Sequence, residues 1–167
     1  MYKDKRVTRK EVVQMIIYVD GDSCNVLHLV EKVAKKFELE CHIFCDPNHM
    51  IEPSYAELHY VEKGPNSADF AIIRKVKKGD IVVTNDSGLA SMVLSKEATP
   101  INSRGFVFNQ SNISTFLNSR HMRTYAKIKS GRKQVKGMLS DEFIKNHKDK
   151  PNFYNSLVAL VQTHCTT

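Results

Sequence analysis

The sequence Met-Ile-Ile-Tyr-Val-Asp-Gly-Asp-Ser, residues 15 to 23, decides the fold class. Its first five residues are apolar and mostly β-branched or aromatic, which is typical of a short parallel strand buried on both faces. Apolar residues then recur at helical spacing from Val26 to Phe37, which predicts a helix directly after this strand. A buried strand followed by a helix is the repeating unit of a parallel α/β sheet.

The same unit recurs along the chain. Further strands are predicted at Cys41 to Cys45, Leu58 to Val61 and Ile81 to Thr84, with Pro100 to Ile101 and Phe106 to Phe108 as shorter candidates. Further helices are predicted from Ser67, interpreted as an N-cap, at Leu89 to Lys96, at Ile113 to about Lys129, from Ser140, and at Phe153 to Gln162. This alternation predicts a three-layer α/β sandwich, with a mainly parallel central sheet and helices on both faces.

Length and composition are those of one globular domain. The chain has 167 residues, of which 41% are hydrophobic and 26% charged. We expect a single domain over 1–167, with its motifs at about 12–128, a flexible basic loop at 129–139 and C-terminal helices at 140–165. No apolar run reaches the about 20 residues of a membrane-spanning helix, and the N-terminus shows no secretory signal. These features predict a cytoplasmic protein without a membrane partner.

The sequence has four cysteines, Cys24, Cys41, Cys45 and Cys165. None forms a Cys-x-x-Cys pair, which favours reduced thiols over disulfides. A zinc site that combines Cys41 and Cys45 with His42 and His49 is the weaker alternative. The two thiols alternate with an apolar residue, as small buried residues of a strand do.

The positive charge lies in one segment. The net charge is +7, and no Asp or Glu occurs from 98 to 140. Eight of the 25 basic residues fall there, so the rest of the chain has 17 basic and 18 acidic residues. Such a segment attracts polyanions, nucleic acid first among them, although a solvated helix face without a ligand is the alternative. The candidates for contact with the nucleic-acid backbone are Arg104, Arg120, Arg123 and Lys127.

Acidic residues directly follow two of the predicted strands. Asp20 and Asp86 would meet at the carboxyl edge of the sheet if their strands are neighbours, and ligands bind at that edge. Clustered carboxylates need a counter-charge, which Mg²⁺ or Mn²⁺ supplies through oxygen ligands. Asp22 and Asp69 lie near the starts of two helices. The structural alternative is that Asp86 or Ser87 caps a helix, that Asp69 favours a helix dipole, and that Asp80 is a turn residue at the opposite edge.

Five ordered motifs between about Ile17 and Phe143 carry a family resemblance. They are residues 17–26, Ser67-Ala68-Asp69 followed by Ile72, residues 79–90, Ser103-Arg104-Gly105, and Asn112-Ile113 with Leu117 and Arg120. These motifs resemble those of the YaiI/YqxD family of uncharacterised bacterial proteins, which is similar to PIN-like domains, named for the N-terminal domain of PilT. Two positions of the first motif depart from the family pattern, because Ser23 and Asn25 stand where it usually has Ala and Pro. The stretch from Lys136 to Asp141 is also shorter than the family's basic Gly-Pro-Lys stretch and lacks the Pro.

The resemblance implies a three-layer fold with acidic residues at one sheet edge. In PIN nucleases such residues bind Mg²⁺ or Mn²⁺ and cleave RNA. Carried onto this chain, the metal ligands would be Asp20, Asp69 and Asp86, with Asp22 as a further catalytic residue. Phosphate would be positioned by Thr84, Asn85 and Ser87. The leading hypothesis is therefore a divalent-metal-dependent phosphodiesterase, a ribonuclease of PIN-like type.

Two other functions stay open at this point. Asp20-x-Asp22 after an apolar strand also resembles the nucleophile motif of haloacid-dehalogenase-like phosphatases, with Asp20 attacking phosphorus and Asp22 as the acid. That superfamily has an acidic pair after a later strand, whereas Gly79-Asp80 precedes its strand here. The third hypothesis is a non-catalytic nucleic-acid-binding protein, which would bind RNA without metal-dependent turnover.

Overall fold

The computed structural model describes residues 14–119 and 152–165. Five strands lie in this part of the chain: β1 (Ile16–Asp20), β2 (Glu40–Cys45), β3 (Glu57–Tyr60), β4 (Ile81–Val83) and β5 (Thr99–Ile101). They form one sheet in the order β3-β2-β1-β4-β5, and every neighbouring pair is parallel. The predicted parallel sheet is confirmed, and β1 lies at its centre.

Helices cover both faces of the sheet. They are α1 (Leu27–Lys36), α2 (Ser67–Lys75), α3 (Ser87–Ser95), α4, described over 113–119, and α5 (Phe153–Cys165). The core on one face contains residues of α1 and α5, and the core on the other contains residues of α2 and α3. This confirms the three-layer α/β sandwich. Among the described residues, no helix is long and apolar enough to cross a bilayer.

Alternate side chains of β1 fill the two cores. Ile17 and Val19 are fully buried with residues of α1 and α5, whereas Tyr18 packs with residues of α2 and α3. Burial of an Ile or Val side chain stabilises a fold by about 1.5–3 kcal/mol. Neither face of such a strand contacts solvent, which is why this segment is continuously apolar.

Two local predictions are wrong. Ser67 is the first residue of α2 and not its N-cap, because Asn66 precedes the helix with a left-handed φ of 61°, which Asn tolerates. The hydroxyl of Ser67 instead donates backward to the carbonyl of Gly64 at 3.2 Å. The strand candidate at Phe106 to Phe108 is reduced to one antiparallel bridge between Ile101 and Val107.

Other predictions fall outside the described residues. These are the continuation of α4 beyond 119, the flexible loop at 129–139 and the helix from Ser140. The division of the chain into a core, a basic loop and C-terminal helices stays a prediction.

Candidate functional site

Asp20 and Thr84 lie side by side at the carboxyl edge of the sheet. β1 and β4 are parallel neighbours in which Val19 is opposite Val83, so the next residue of each chain segment emerges at the same edge. The condition on which the predicted meeting of Asp20 and Asp86 depended, that their strands be neighbours, is therefore met. We call this edge, with Asp20, Asp22, Asp69 and Asp86, the acidic edge.

Gly21 lets the chain turn sharply over β2 directly after Asp20. A Cβ atom at this position would lie 2.9 Å from the Cβ of Cys45 and 2.9 Å from the carbonyl oxygen of Phe44. The amide of Gly21 donates to that same carbonyl at 2.8 Å. A side chain cannot be accommodated at such distances, so glycine is a steric requirement directly after Asp20.

Asp20 is a buried carboxylate held by two hydroxyl groups. The residue is 3% exposed, and Ser23 Oγ and Thr84 Oγ1 both donate to its Oδ2, at 2.7 and 2.9 Å. Burial raises the pKa of Asp20 above its usual value, the two hydroxyl donors oppose that change, and the nearby charge of Asp22 adds to it. Within the described residues, none of the ion pairs involves Asp20. Its negative charge is therefore not neutralised by a basic side chain there.

Asn85 joins the loops that follow β1, β4 and β5. Its amide nitrogen Nδ2 donates to the carbonyl of Ser23 at 2.6 Å, and its backbone N–H donates to Ser23 Oγ at 3.1 Å. Its Oδ1 accepts from both the backbone N–H and the hydroxyl of Ser103, each at 2.9 Å. Arg104 follows Ser103 and is exposed, so one of the predicted RNA-contacting residues lies beside the acidic edge.

Asp86 caps α3. Its Oδ1 accepts from the backbone N–H groups of Gly88 and Leu89, at 2.7 and 3.3 Å, and its own N–H donates to Thr84 Oγ1 at 3.0 Å. The structural role that the sequence offered for Asp86 is confirmed, and its metal role stays a prediction. The hydroxyl of Thr84 accepts from the Asp86 amide and donates to Asp20, which joins the two acidic residues.

The remaining predicted residues lie around this centre. Asp22 Oδ1 accepts from the Asp46 amide at 2.9 Å and lies 3.2 Å from His49 Nδ1. Asp69 is 8% exposed in the first turn of α2, which begins after β3 and therefore at the carboxyl edge. Ser87, the first residue of α3, is 9% exposed. Three of the candidate RNA contacts, Arg120, Arg123 and Lys127, lie outside the described residues.

The donor atoms of the acidic edge suit a hard cation, but they do not form a closed cage. Asp20, Asp69 and Asp86 are not a group whose carboxylate oxygens all lie within 4.8 Å of one another in the described structure. Mg²⁺ usually takes only one or two carboxylates and keeps several waters. A cation at this edge would therefore have to be partly hydrated and held by fewer than three of these carboxylates.

A second cluster was missed by the sequence argument. His42, Glu57 and His59 have candidate ligand atoms that all lie within 4.8 Å of one another, and they are the only such group in 14–119 and 152–165. We call them the histidine cluster. They meet because the register of β2 and β3 places His42 opposite Glu57, with His59 two residues further along the same face. In the sequence, polar residues alternate with apolar ones along both strands, and this alternation could have indicated a shared polar face.

The histidine cluster excludes the zinc site considered from sequence. His42 belongs to the face of β2 that carries Glu40 and Phe44, whereas Cys41 and Cys45 lie on the opposite face, buried toward α1 and α5. The imidazole of His49 contacts Asp22 instead. Burial lowers the pKa of His59, the charge of Glu57 opposes that change, and His42 and Lys75 add to it. Burial raises the pKa of the Cys41 thiol to about 12, which keeps it protonated.

Comparisons with known proteins agree with the sequence motifs. The family described as "Uncharacterized BCR, YaiI/YqxD family" matches residues 18–163. A UPF0178 protein of Clostridium tetani is 46% identical over 108 residues, which are 65% of this chain and 74% of that protein. Another, of Clostridium novyi, is 34% identical over 147 residues, covering 88% and 95%. The crystal structure of Rae1 (YacP) from Bacillus subtilis matches with a TM-score of 0.43 and 15% identity, covering 79% of this chain and 91% of that one.

Proposed function

The chain belongs to the YaiI/YqxD family, and from the chemistry of its acidic edge we propose that it is a divalent-metal-dependent phosphodiesterase that cleaves RNA. One observation carries this proposal, namely the buried carboxylate of Asp20, which has hydroxyl donors but no basic partner among the described residues. A buried charge without a counter-ion is costly, and a divalent cation at the edge would remove that cost. The two hydroxyls would keep Asp20 oriented toward the edge in the absence of the ion.

The metal ligands in this proposal are oxygen atoms of the acidic edge. Asp20 and Asp86 would hold Mg²⁺ or Mn²⁺, with Asp69 as a third ligand or through a water, and Asp22 would orient the attacking water. When bound, the cation supplies the positive charge that activates water and stabilises the leaving oxygen of a phosphodiester. Thr84 has no exposed surface, so its role is to position Asp20 and the amide of Asp86.

Phosphate recognition would come from the loops beside the carboxylates. Asn85 is exposed and Ser87 starts α3, so both stand where a phosphate would approach the edge. Arg104 is exposed on the loop that Asn85 holds through Ser103. Its guanidinium would bind a phosphate in a bidentate manner, and the basic residues Arg120, Arg123 and Lys127 would extend that contact along single-stranded RNA.

The test measures cleavage of an unstructured, labelled RNA oligonucleotide with Mg²⁺, Mn²⁺ or a chelator. We expect metal-dependent cleavage by the wild type and a loss of at least about 100-fold in Asp20→Asn and in Asp86→Asn, because each removes a charge that binds the metal. Asn retains the capping ability of Asp86, so that variant keeps α3 intact. Glu62→Gln removes an exposed carboxylate after β3 and serves as the matched control, with unchanged cleavage.

Three outcomes contradict the proposal. Hydrolysis of a small phosphomonoester through a phosphorylated Asp20 would indicate the phosphatase. RNA binding without turnover under any metal would indicate a non-catalytic binding protein. Cleavage that survives in both aspartate variants would place the active site elsewhere.

A further inference from the structure

We propose that His42, Glu57 and His59 form a binding site for a late first-row divalent cation, zinc foremost, that is separate from the acidic edge. The acidic edge is built from oxygen donors on loops after strands, whereas the histidine cluster lies on the faces of β2 and β3. Two imidazoles and one carboxylate are a common zinc ligand set, and hard cations such as Mg²⁺ avoid imidazole. The two sites would therefore bind different metals.

The distances among the ligand atoms bracket those of a tetrahedral site. His42 Nδ1 lies 2.8 Å from His59 Nε2, Glu57 Oε2 lies 3.7 Å from His42 Nδ1, and Glu57 Oε1 lies 3.7 Å from His59 Nε2. Ligands bound tetrahedrally at zinc bond lengths are separated by about 3.3 Å. The Glu57 side chain is 67% exposed, so its carboxylate can move to reach the geometry of a bound ion.

Glu40 orients the imidazole of His42 through the ring nitrogen that does not face the ion. Its Oε1 lies 2.5 Å from His42 Nε2, so Nε2 is the ring atom beside this carboxylate and Nδ1 is the atom that faces His59. A carboxylate behind a metal-binding histidine is the usual second-layer partner in zinc sites, where it fixes the tautomer and strengthens the ligand. The cluster already has this partner.

Aromatic rings hold the two imidazoles in place. Tyr18 stacks on His42 with ring centroids 5.7 Å apart, and Phe44 stacks on His59 at 4.6 Å. All of these rings stand on strands of one sheet, so the backbone also fixes their spacing. Ligands on rigid strands lose little conformational entropy on binding a metal, and this favours affinity.

Charge and access also allow a cation to bind. Glu40 and Glu57 place two negative charges beside the two imidazole rings, and Lys75 is the ammonium group whose charge acts on His59. The side chains of His42 and His59 are 11% and 25% exposed, so the site is sheltered but open to solvent. Three protein ligands leave a fourth position for water, as in zinc sites that accept an exogenous ligand.

A bound ion would also stabilise the pairing of β3 with β2. Among the described strands, β3 has a neighbour on only one side, and Glu57 and His59 are two of its four residues. A bound ion would add ligand bonds across β2 and β3 in the folded state alone. Binding to the native state only raises its stability, so zinc should raise the melting temperature.

The experiment uses the full chain with Cys165→Ser, because Cys165 is the exposed thiol among the four cysteines and would bind zinc on its own. Apo protein is titrated with Zn²⁺ by calorimetry and with Co²⁺ by visible absorption, which reports tetrahedral coordination. We expect one equivalent of either ion. At zinc concentrations about 100 times the dissociation constant, the melting temperature should rise by about 5 °C or more.

Four variants of the cluster and one control test which residues bind the ion. His42→Gln and His59→Gln should weaken zinc binding by at least about 100-fold, and Glu40→Gln, which removes the orienting carboxylate, by about 10-fold. Glu57→Gln should weaken binding with little effect on folding, since Glu57 is exposed. His28→Gln is the matched control, because it removes an exposed histidine of α1, which covers the opposite face of the sheet, and should leave affinity unchanged.

Two results would overturn the site. One is zinc binding or cobalt absorption that is the same in wild type, His59→Gln and Glu57→Gln, which would place the ion elsewhere in the chain. The other is no rise in melting temperature with zinc, which would show that the two histidines are a hydrogen-bonded pair without a metal role. Neither result depends on RNA cleavage.

Discussion

The acidic edge and the histidine cluster belong to the same sheet but are built in opposite ways. At the acidic edge, Asp20 and Asp86 follow strands, and hydroxyl and amide groups from three loops hold them. In the histidine cluster, His42 and His59 stand on strand faces and are held by register and ring stacking. The first depends on how strands end, and the second depends on how two strands align. A substitution in one of these two regions should therefore leave the other region unchanged.

The largest loss of stability is expected from Gly21→Ala at the acidic edge. The added methyl group would lie 2.9 Å from a carbonyl and a Cβ of β2 that cannot move independently, so we expect a loss of about 3 kcal/mol in the free energy of unfolding. Gly64→Ala is the control, because the nearest atom there is the mobile Ser67 hydroxyl at 3.1 Å, and it should cost less than about 0.5 kcal/mol. Urea unfolding measures both. Equal losses would mean that the turn over β2 is not tight.

Thr84→Val tests the link between the two acidic residues. The substitution keeps the shape but removes the hydroxyl that donates to Asp20 and accepts from the Asp86 amide, so we expect a loss of about 2 kcal/mol. Thr84→Ser keeps the hydroxyl and should lose less. Zinc affinity of the histidine cluster should not change in either variant. A neutral effect of Thr84→Val on unfolding would show that Asp20 does not depend on this donor.

The third prediction concerns pH in metal-free protein. Burial raises the pKa of Asp20 in the folded state, so the folded protein binds the proton more tightly than the unfolded chain does. The stability tied to this group is complete below the unfolded pKa and is lost as the pH rises through the folded pKa. On acidification from neutral pH, wild type should therefore gain stability relative to Asp20→Asn. Chemical denaturation of both proteins at several pH values with a chelator measures the gain.

Two results bear on this interpretation. Mg²⁺ or Mn²⁺ should reduce the gain, because a bound cation favours the ionised carboxylate. A constant difference between the two proteins across the acid range would mean that the pKa of Asp20 is the same folded and unfolded.

The smallest effect is expected for Arg104→Gln. If its guanidinium neutralises one phosphate of single-stranded RNA, the slope of log affinity against log salt should fall by about 0.7. Lys78→Gln is the control, since Lys78 is exposed in the turn at the opposite edge of the sheet and pairs with Glu97. RNA-binding titrations at several salt concentrations measure the slopes. An unchanged slope for Arg104→Gln would remove this residue from the RNA-binding surface.

Most of the acidic edge was predictable because it depends on local order along the chain. A continuously apolar strand predicts burial on both faces, and an acidic residue directly after such a strand must emerge at the carboxyl edge, as Asp20 does. The helix after β4 likewise predicted a cap, and Asp86 provides it. The error at Ser67 arose because Asn66 adopts a left-handed conformation that no periodic pattern reveals. Thr84 was predicted as a phosphate contact, and its burial was not foreseen.

The sequence by itself determined the parallel α/β class and the placement of acidic residues at strand ends, because burial and chain direction are encoded within a few consecutive residues. Tertiary structure alone decided that β1 and β4 are neighbours, that Asn85 joins three loops, and that His42 meets Glu57 and His59. These contacts join residues 15 or more positions apart, and a register shift of one residue would turn His59 to the other face. Local patterns do not set register, since it results from the packing of whole strands and helices.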